Sequence, residues 1–124
     1  MKRLVFVACA SLAILVFPVL ADAQHAHADS PRITLTVTKS LAVGTTILRP
    51  GAYKFQCRTF DGRTFLVVTS VETGKELARV PCVEETLDAK VTDSDFRSRP
   101  LEDGTRTLLS VRIKGEAVAH RVVD

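Results

Sequence analysis

The chain has 124 residues, 25% of them charged and 6% aromatic, with 17 Lys+Arg against 14 Asp+Glu. That length suits one modest domain rather than several. A formal charge of +3, spread without any dense basic run, excludes the footprint of a nucleic-acid binder.

Taken in chain order, the first element is an export signal. Lys2 and Arg3 precede a nearly unbroken apolar run, Leu4 to Leu20, interrupted only by Ser11 and Pro18. Ala21-Asp22-Ala23 then offers small residues at the two positions a signal peptidase reads, so residues 1–23 are expected to be a cleavable signal peptide. Pro18 ends the apolar helix ahead of the cut. Cuts after Ala21 or Ala28 are the alternatives. The run falls short of the roughly 20 residues of a spanning helix, which argues against an uncleaved anchor. Lipidation at Cys9 would leave too few apolar residues ahead of it. Removing 23 residues from 124 leaves 101. Lys2, Arg3 and Asp22 go with them, so 15 basic and 13 acidic residues remain, a charge of +2. The expected location is the periplasm or the medium, and no later stretch is long and apolar enough to span a membrane.

Residues 24–31, QHAHADSP, read as a flexible tail, and residues 32–124 as a β-domain. Ile33, Leu35 and Val37 alternate with Thr34, Thr36 and Thr38, giving one apolar face and one hydroxyl-rich face. After Pro50-Gly51, Tyr53, Phe55 and Cys57 alternate with Lys54, Gln56 and Arg58. Asp61-Gly62 marks a hairpin, Thr64 to Val71 the returning strand, and Thr73-Gly74 the next turn. Glu76 to Val83 follows; Pro81 cannot donate to a ladder, so this strand is expected at an edge or to end there. Leu87, Ala89 and Val91 alternate as a short strand, Asp93-Ser94-Asp95 reads as a turn, and Arg97 to Pro100 as a loop. After Asp103-Gly104, Arg106 to Ile113 is a strand with Thr107, Leu109, Val111 and Ile113 on one face. Lys114-Gly115 closes a hairpin with Glu116 to Val123; a two-residue loop there sets Val111 opposite Val118 and Leu109 opposite His120. No convincing helix follows the signal. Turns recurring at roughly 8 to 12 residues imply an all-β fold, a small antiparallel β-sandwich or open barrel of about seven or eight strands. Its inward set is Ile33, Leu35, Val37, Tyr53, Phe55, Val67, Leu109, Val111 and Val118.

Val43-Gly44, Leu48, Gly51 and Tyr53, within VGTTILRPGAYKF, resemble a motif of small, uncharacterised exported β-proteins of soil-type bacteria, where an apolar strand and Val-Gly precede Leu and Pro-Ala-Gly-Thr-Tyr. Arg49-Pro50-Gly51-Ala52 departs from that pattern. The similarity covers about a dozen residues and implies no chemistry. Physically, Gly51 suits a positive φ in a Pro-Gly turn, and Tyr53 starts the inward face.

Candidate functional residues are few. Cys57 and Cys82 are the cysteines left after processing, and in an exported protein such a pair is expected to form a structural disulfide, with a free buried pair as the alternative. Redox chemistry would need a Cys-x-x-Cys that is absent. A simple meander over residues 52–83 would hold the two cysteines two strand spacings apart, about 9–10 Å. A disulfide needs Cα atoms within about 7 Å. The third strand is therefore expected to leave the sheet near Arg79 to Pro81 and carry Cys82 across to Cys57. His25 and His27, at i and i+2, are a weak metal-chelating pair. His120 reads as a packed or edge histidine, with no nucleophile placed beside it. Asp93-Ser94-Asp95 lacks the remainder of a calcium loop, and Glu84, Glu85, Asp88 and Asp103 read as solvated turns. Arg97 and Arg99 with Arg58 or Arg63 are a weak anion patch beside the simpler reading of a solvated face. No serine nucleophile, phosphate loop or cofactor fingerprint is present. The sequence thus points to a non-enzymatic envelope or extracellular module that binds a protein or a glycan. The alternative is a metal-handling protein or small enzyme using His25, His27 or His120.

Overall fold

The computed structural model describes residues 29–123. The signal segment, His25 and His27 lie outside the described residues. Within them the protein is all-β, with nine strands and no helix. The strands are β1 (Ile33–Val37), β2 (Leu41–Val43), β3 (Thr46–Leu48), β4 (Gly51–Phe60) and β5 (Arg63–Ser70). They continue with β6 (Glu76–Thr86), β7 (Asp95–Pro100), β8 (Arg106–Arg112) and β9 (Val118–Val122). The sheet runs β1-β4-β5-β6-β9-β8-β2-β3, with β7 on β8, and does not close on itself. Among these residues no helix is long and apolar enough to cross a membrane.

Alternation builds the first half. Cross-strand partners share a face, so Phe55 with Val68, Cys57 with Leu66, and Leu66 with Val80 form continuous inward rows. Phe55, Leu66 and Val68 are at most 1% exposed, and burying each such side chain stabilises the fold by roughly 1.5–3 kcal/mol. The β4–β5 turn places Asp61 at φ 48° and Gly62 at φ 77°, the paired positive values of an Asp-Gly hairpin.

The decisive feature is β6. Glu76 to Pro81 pairs with β5, and Cys82 to Thr86 pairs with β9. Phe65 opposite Pro81 is the last rung, because proline has no N–H to continue the ladder. Contrary to the expectation from sequence, the strand neither ends at Pro81 nor lies at an edge nor leaves the sheet: β6 runs on to Thr86, exchanging β5 for β9 as its partner, and Cys82 meets Cys57. One strand thus links the two halves, and Ala78, Val80 and Cys82 keep facing the shared core across the bend.

Several local expectations are corrected. Leu87, Ala89 and Val91 form no strand. Leu87 N–H donates to Ala117 O, Val91 N–H to Glu116 O, and Gly115 N–H to Val91 O, which straps an irregular segment onto the loop before β9. The expected loop at Arg97 to Pro100 is instead the end of β7, because β8 offers it a free edge and Phe96 stacks on Phe55 with centroids 6.3 Å apart. Leu109 is exposed rather than inward. Arg97 pairs with Ser110 and Ser98 with Leu108, so Leu109 is the extra residue of a bulge, and Leu108 and Val111 both face the core. Val67 is buried, but on the other face, opposite Gln56 and Arg79. Val111 lies opposite His120, not Val118, because the loop at Lys114-Gly115 is longer than two residues. Gly51 has φ 158° and begins β4 paired with Val37, rather than occupying a left-handed turn. The bend before it is held by Tyr53, whose hydroxyl donates to Arg49 O at 2.6 Å.

Candidate functional site

Three strands bring their inward residues to one place. Cys57 comes from β4 in phase with Phe55, and Cys82 from β6 in phase with Val80. His120 comes from β9, opposite Val111 on β8 and Glu84 on β6. All three are buried, at 4%, 5% and 3% exposure. One coordinating atom from each, the two sulfurs and a ring nitrogen, lie within 4.8 Å of one another.

The sulfurs are 3.2 Å apart, and both cysteines are free thiols. The expected disulfide is therefore absent from this structure: β6 brings Cys82 to Cys57, but a bond needs sulfurs at about 2.05 Å. Their hydrogen bond lowers the Cys82 thiol pKa against the upward push of burial and of Glu84. The same hydrogen bond raises that of Cys57, as do burial, the charge on Cys82 and the carboxylates of Glu116 and Glu84. The pair therefore loses its two protons in separate steps.

His120 Nε2 lies 2.7 Å from Glu116 Oε1. An ionised carboxylate only accepts, so Nε2 is the donor in this contact, and in the neutral tautomer that donates from Nε2 the Nδ1 keeps its lone pair. That Nδ1 is buried and has no hydrogen-bond partner among the described residues. Leaving such an acceptor unsatisfied costs about 1–3 kcal/mol.

A cavity of about 200 Å³ opens beside the cluster, with Ser30, Thr59, Thr64, Glu84 and Glu116 on its walls. Ser30 roofs it: Cys57 N–H donates to Ser30 Oγ at 2.8 Å, and Ser30 N–H donates to Cys57 O at 2.9 Å. Asp29 continues this anchorage, accepting from Thr59 N–H and pairing with Arg58. The described part of the 24–31 stretch is thus fastened to β4.

Two chemistries suit a thiol, an imidazole and a carboxylate in line. A nucleophilic cysteine needs a depressed pKa and some exposure. Cys57 has the opposite on both counts, and Cys82 is 5% exposed. A metal site needs converging lone pairs behind an oriented imidazole, which this cluster supplies.

The remaining candidates do not converge. Asp95 is engaged by Arg112 at 2.6 and 2.9 Å, which satisfies the main charges beside a larger cavity of about 400 Å³ near Leu87 and Lys90. Arg58 is committed to Asp29, and Arg79 to Glu76 and the face of Phe60. Sequence reasoning singled out Cys57 with Cys82, and His120 apart from them, but missed Glu116 and Ser30. Glu116 lies in the loop before β9, where a spacing of four residues carries no periodic signal. Among family models, curated proteins and solved structures, none matches the chain.

Proposed function

We propose that this chain is an exported, non-enzymatic β-domain of the periplasm or the extracellular medium that binds its ligand rather than converting it. Its binding site is the cluster of Cys57, Cys82 and His120 beside the cavity that Cys57 and His120 line. The observation that carries this reading is the meeting of two free thiols with buried His120, whose Nδ1 has no hydrogen-bond partner among the described residues. A polar acceptor left unsatisfied in a core is costly unless something completes it. Export is supported by the order of Lys2-Arg3, the apolar run and Ala21-Asp22-Ala23. Binding of a protein or glycan elsewhere on the surface is compatible with the same domain.

Recovery of the protein from the producing cell's envelope and medium, followed by native mass spectrometry without oxidants, tests this. The expected species begins at Gln24 and carries a stoichiometric non-covalent adduct that Cys57→Ser removes. A chain retaining Met1 in the membrane fraction refutes export. A bare mass refutes the binding site.

A further inference from the structure

We propose that Cys57, Cys82 and His120 are three ligands of a single zinc(II) ion, with Glu116 holding the imidazole from behind. This rests on the pocket being the binding site and names what it binds.

Zinc takes thiolates, imidazoles and carboxylates in a tetrahedron. Two sulfurs and a ring nitrogen already lie within 4.8 Å of one another, at 3–5% exposure. Zn–S bonds of 2.3 Å at the tetrahedral angle place sulfurs about 3.7 Å apart. The observed 3.2 Å requires them to part by only about half an ångström, within reach of small side-chain rotations. Glu116 Oε1 at 2.7 Å from His120 Nε2 is the outer carboxylate that metal-bound histidines use to fix ring and tautomer. In the neutral tautomer that donates from Nε2, the buried Nδ1 without a hydrogen-bond partner holds the ring's lone pair for the metal. The fourth position opens onto the cavity, where a water completes the set.

Charge selects the ion. As the two Zn–S bonds form, both thiol protons leave to solvent, and two thiolates with a dication sum to zero. Copper(I) in the same ligands leaves a net negative charge in a buried site that already faces the carboxylates of Glu116 and Glu84. Desolvating that uncompensated charge is unfavourable. The ligands come from β4, β6 and β9, so the ion would tie both sides of the β6 bend together.

The test uses the purified protein, reduced and kept anaerobic. Zinc is titrated against a chromophoric chelator, cobalt(II) reports geometry, and a thiol reagent reports protection. The expected result is one equivalent bound, both thiols protected, and a tetrahedral cobalt spectrum with sulfur-to-metal charge transfer. Glu116→Gln should weaken zinc about 10- to 100-fold. Cys57→Ser and His120→Gln should weaken it further, and a His25→Ala/His27→Ala double variant should leave it unchanged. If the ligand variants do not fold, the wild-type spectrum and thiol protection decide. Zinc that leaves both thiols reactive, an octahedral cobalt spectrum, or binding lost with His25 and His27 overturns the assignment. Copper(I) bound where zinc is not also overturns it, while the pocket reading stands. A bare mass from the native source together with no metal uptake overturns both.

Discussion

Gly44 offers a worked perturbation of the scaffold. It has φ 61° in the turn between β2 and β3, and a Cβ there would sit 2.8 Å from Val80 Cγ1. Gly44→Ala therefore meets two costs. The left-handed backbone costs an L-residue roughly 1–2 kcal/mol. The collision with a buried, β-branched neighbour adds about 1–3 kcal/mol, as overpacking does elsewhere. The expected loss is about 2–5 kcal/mol. Val80→Ala alone should cost about 2 kcal/mol in lost burial. In the double variant the collision partner is gone, so the two effects should be less than additive by about 1–3 kcal/mol. Gly44→Asn tolerates the left-handed region but keeps the collision, which separates the two costs. Urea unfolding measures all four through the midpoint at constant slope. Additivity within about 0.5 kcal/mol, or a neutral Gly44→Ala, would refute the contact between this turn and β6.

Ser30→Ala should cost about 1–3 kcal/mol in the same assay, since it strands the buried Cys57 N–H; no loss would mean that a water or another group replaces the hydroxyl. Tyr53→Phe should cost about 1 kcal/mol by freeing Arg49 O, and an unchanged midpoint would remove this hydrogen bond from the account of the bend. The hydrogen bonds from Arg112 hold the Asp95 pKa below its ordinary value, so this pair stabilises the fold above the ordinary aspartate range. That stability is lost as pH falls through the lowered pKa. Wild type and Asp95→Asn should therefore differ near neutrality and converge in acid, and parallel curves would refute the linkage. Alkylation of anaerobically purified, unreduced protein, unfolded in denaturant with a chelator, should label both Cys57 and Cys82; a cross-linked peptide pair would contradict the free-thiol state.

Much of the scaffold was legible because its signals are local. The period of two placed Leu35, Val37, Phe55, Cys57 and Val111 inward, and Asp61-Gly62 marked its hairpin. Pro81 marked the end of the β5–β6 ladder. What failed was set by partners. Arg97 to Pro100 has no strong strand pattern of its own and is ordered by the edge of β8. The bulge at Leu109 changes which residues face inward without changing composition, so nothing in the strand announces it. The site was half legible: parity set Cys57 on the face of Phe55, while the approach of Cys82 followed from an expected disulfide that the structure does not contain. The meeting of His120 with them depends on the register of β9 with β6 and β8, which the longer loop at Lys114-Gly115 shifted from expectation.

Because β6 belongs to both halves, the domain has no seam along which to come apart. Detaching β9 from Cys82–Thr86 frees the same strand whose first half covers Leu66 and Val68. Opening on either side therefore propagates through one continuous backbone, and the halves should behave as a single cooperative unit. Amide exchange at Leu66 and His120, residues on opposite sides of the bend, should then report one shared opening free energy. A polypeptide crossing between compartments as an unfolded thread would acquire its native state in one step, with no half-built sheet left to present its edges to neighbours.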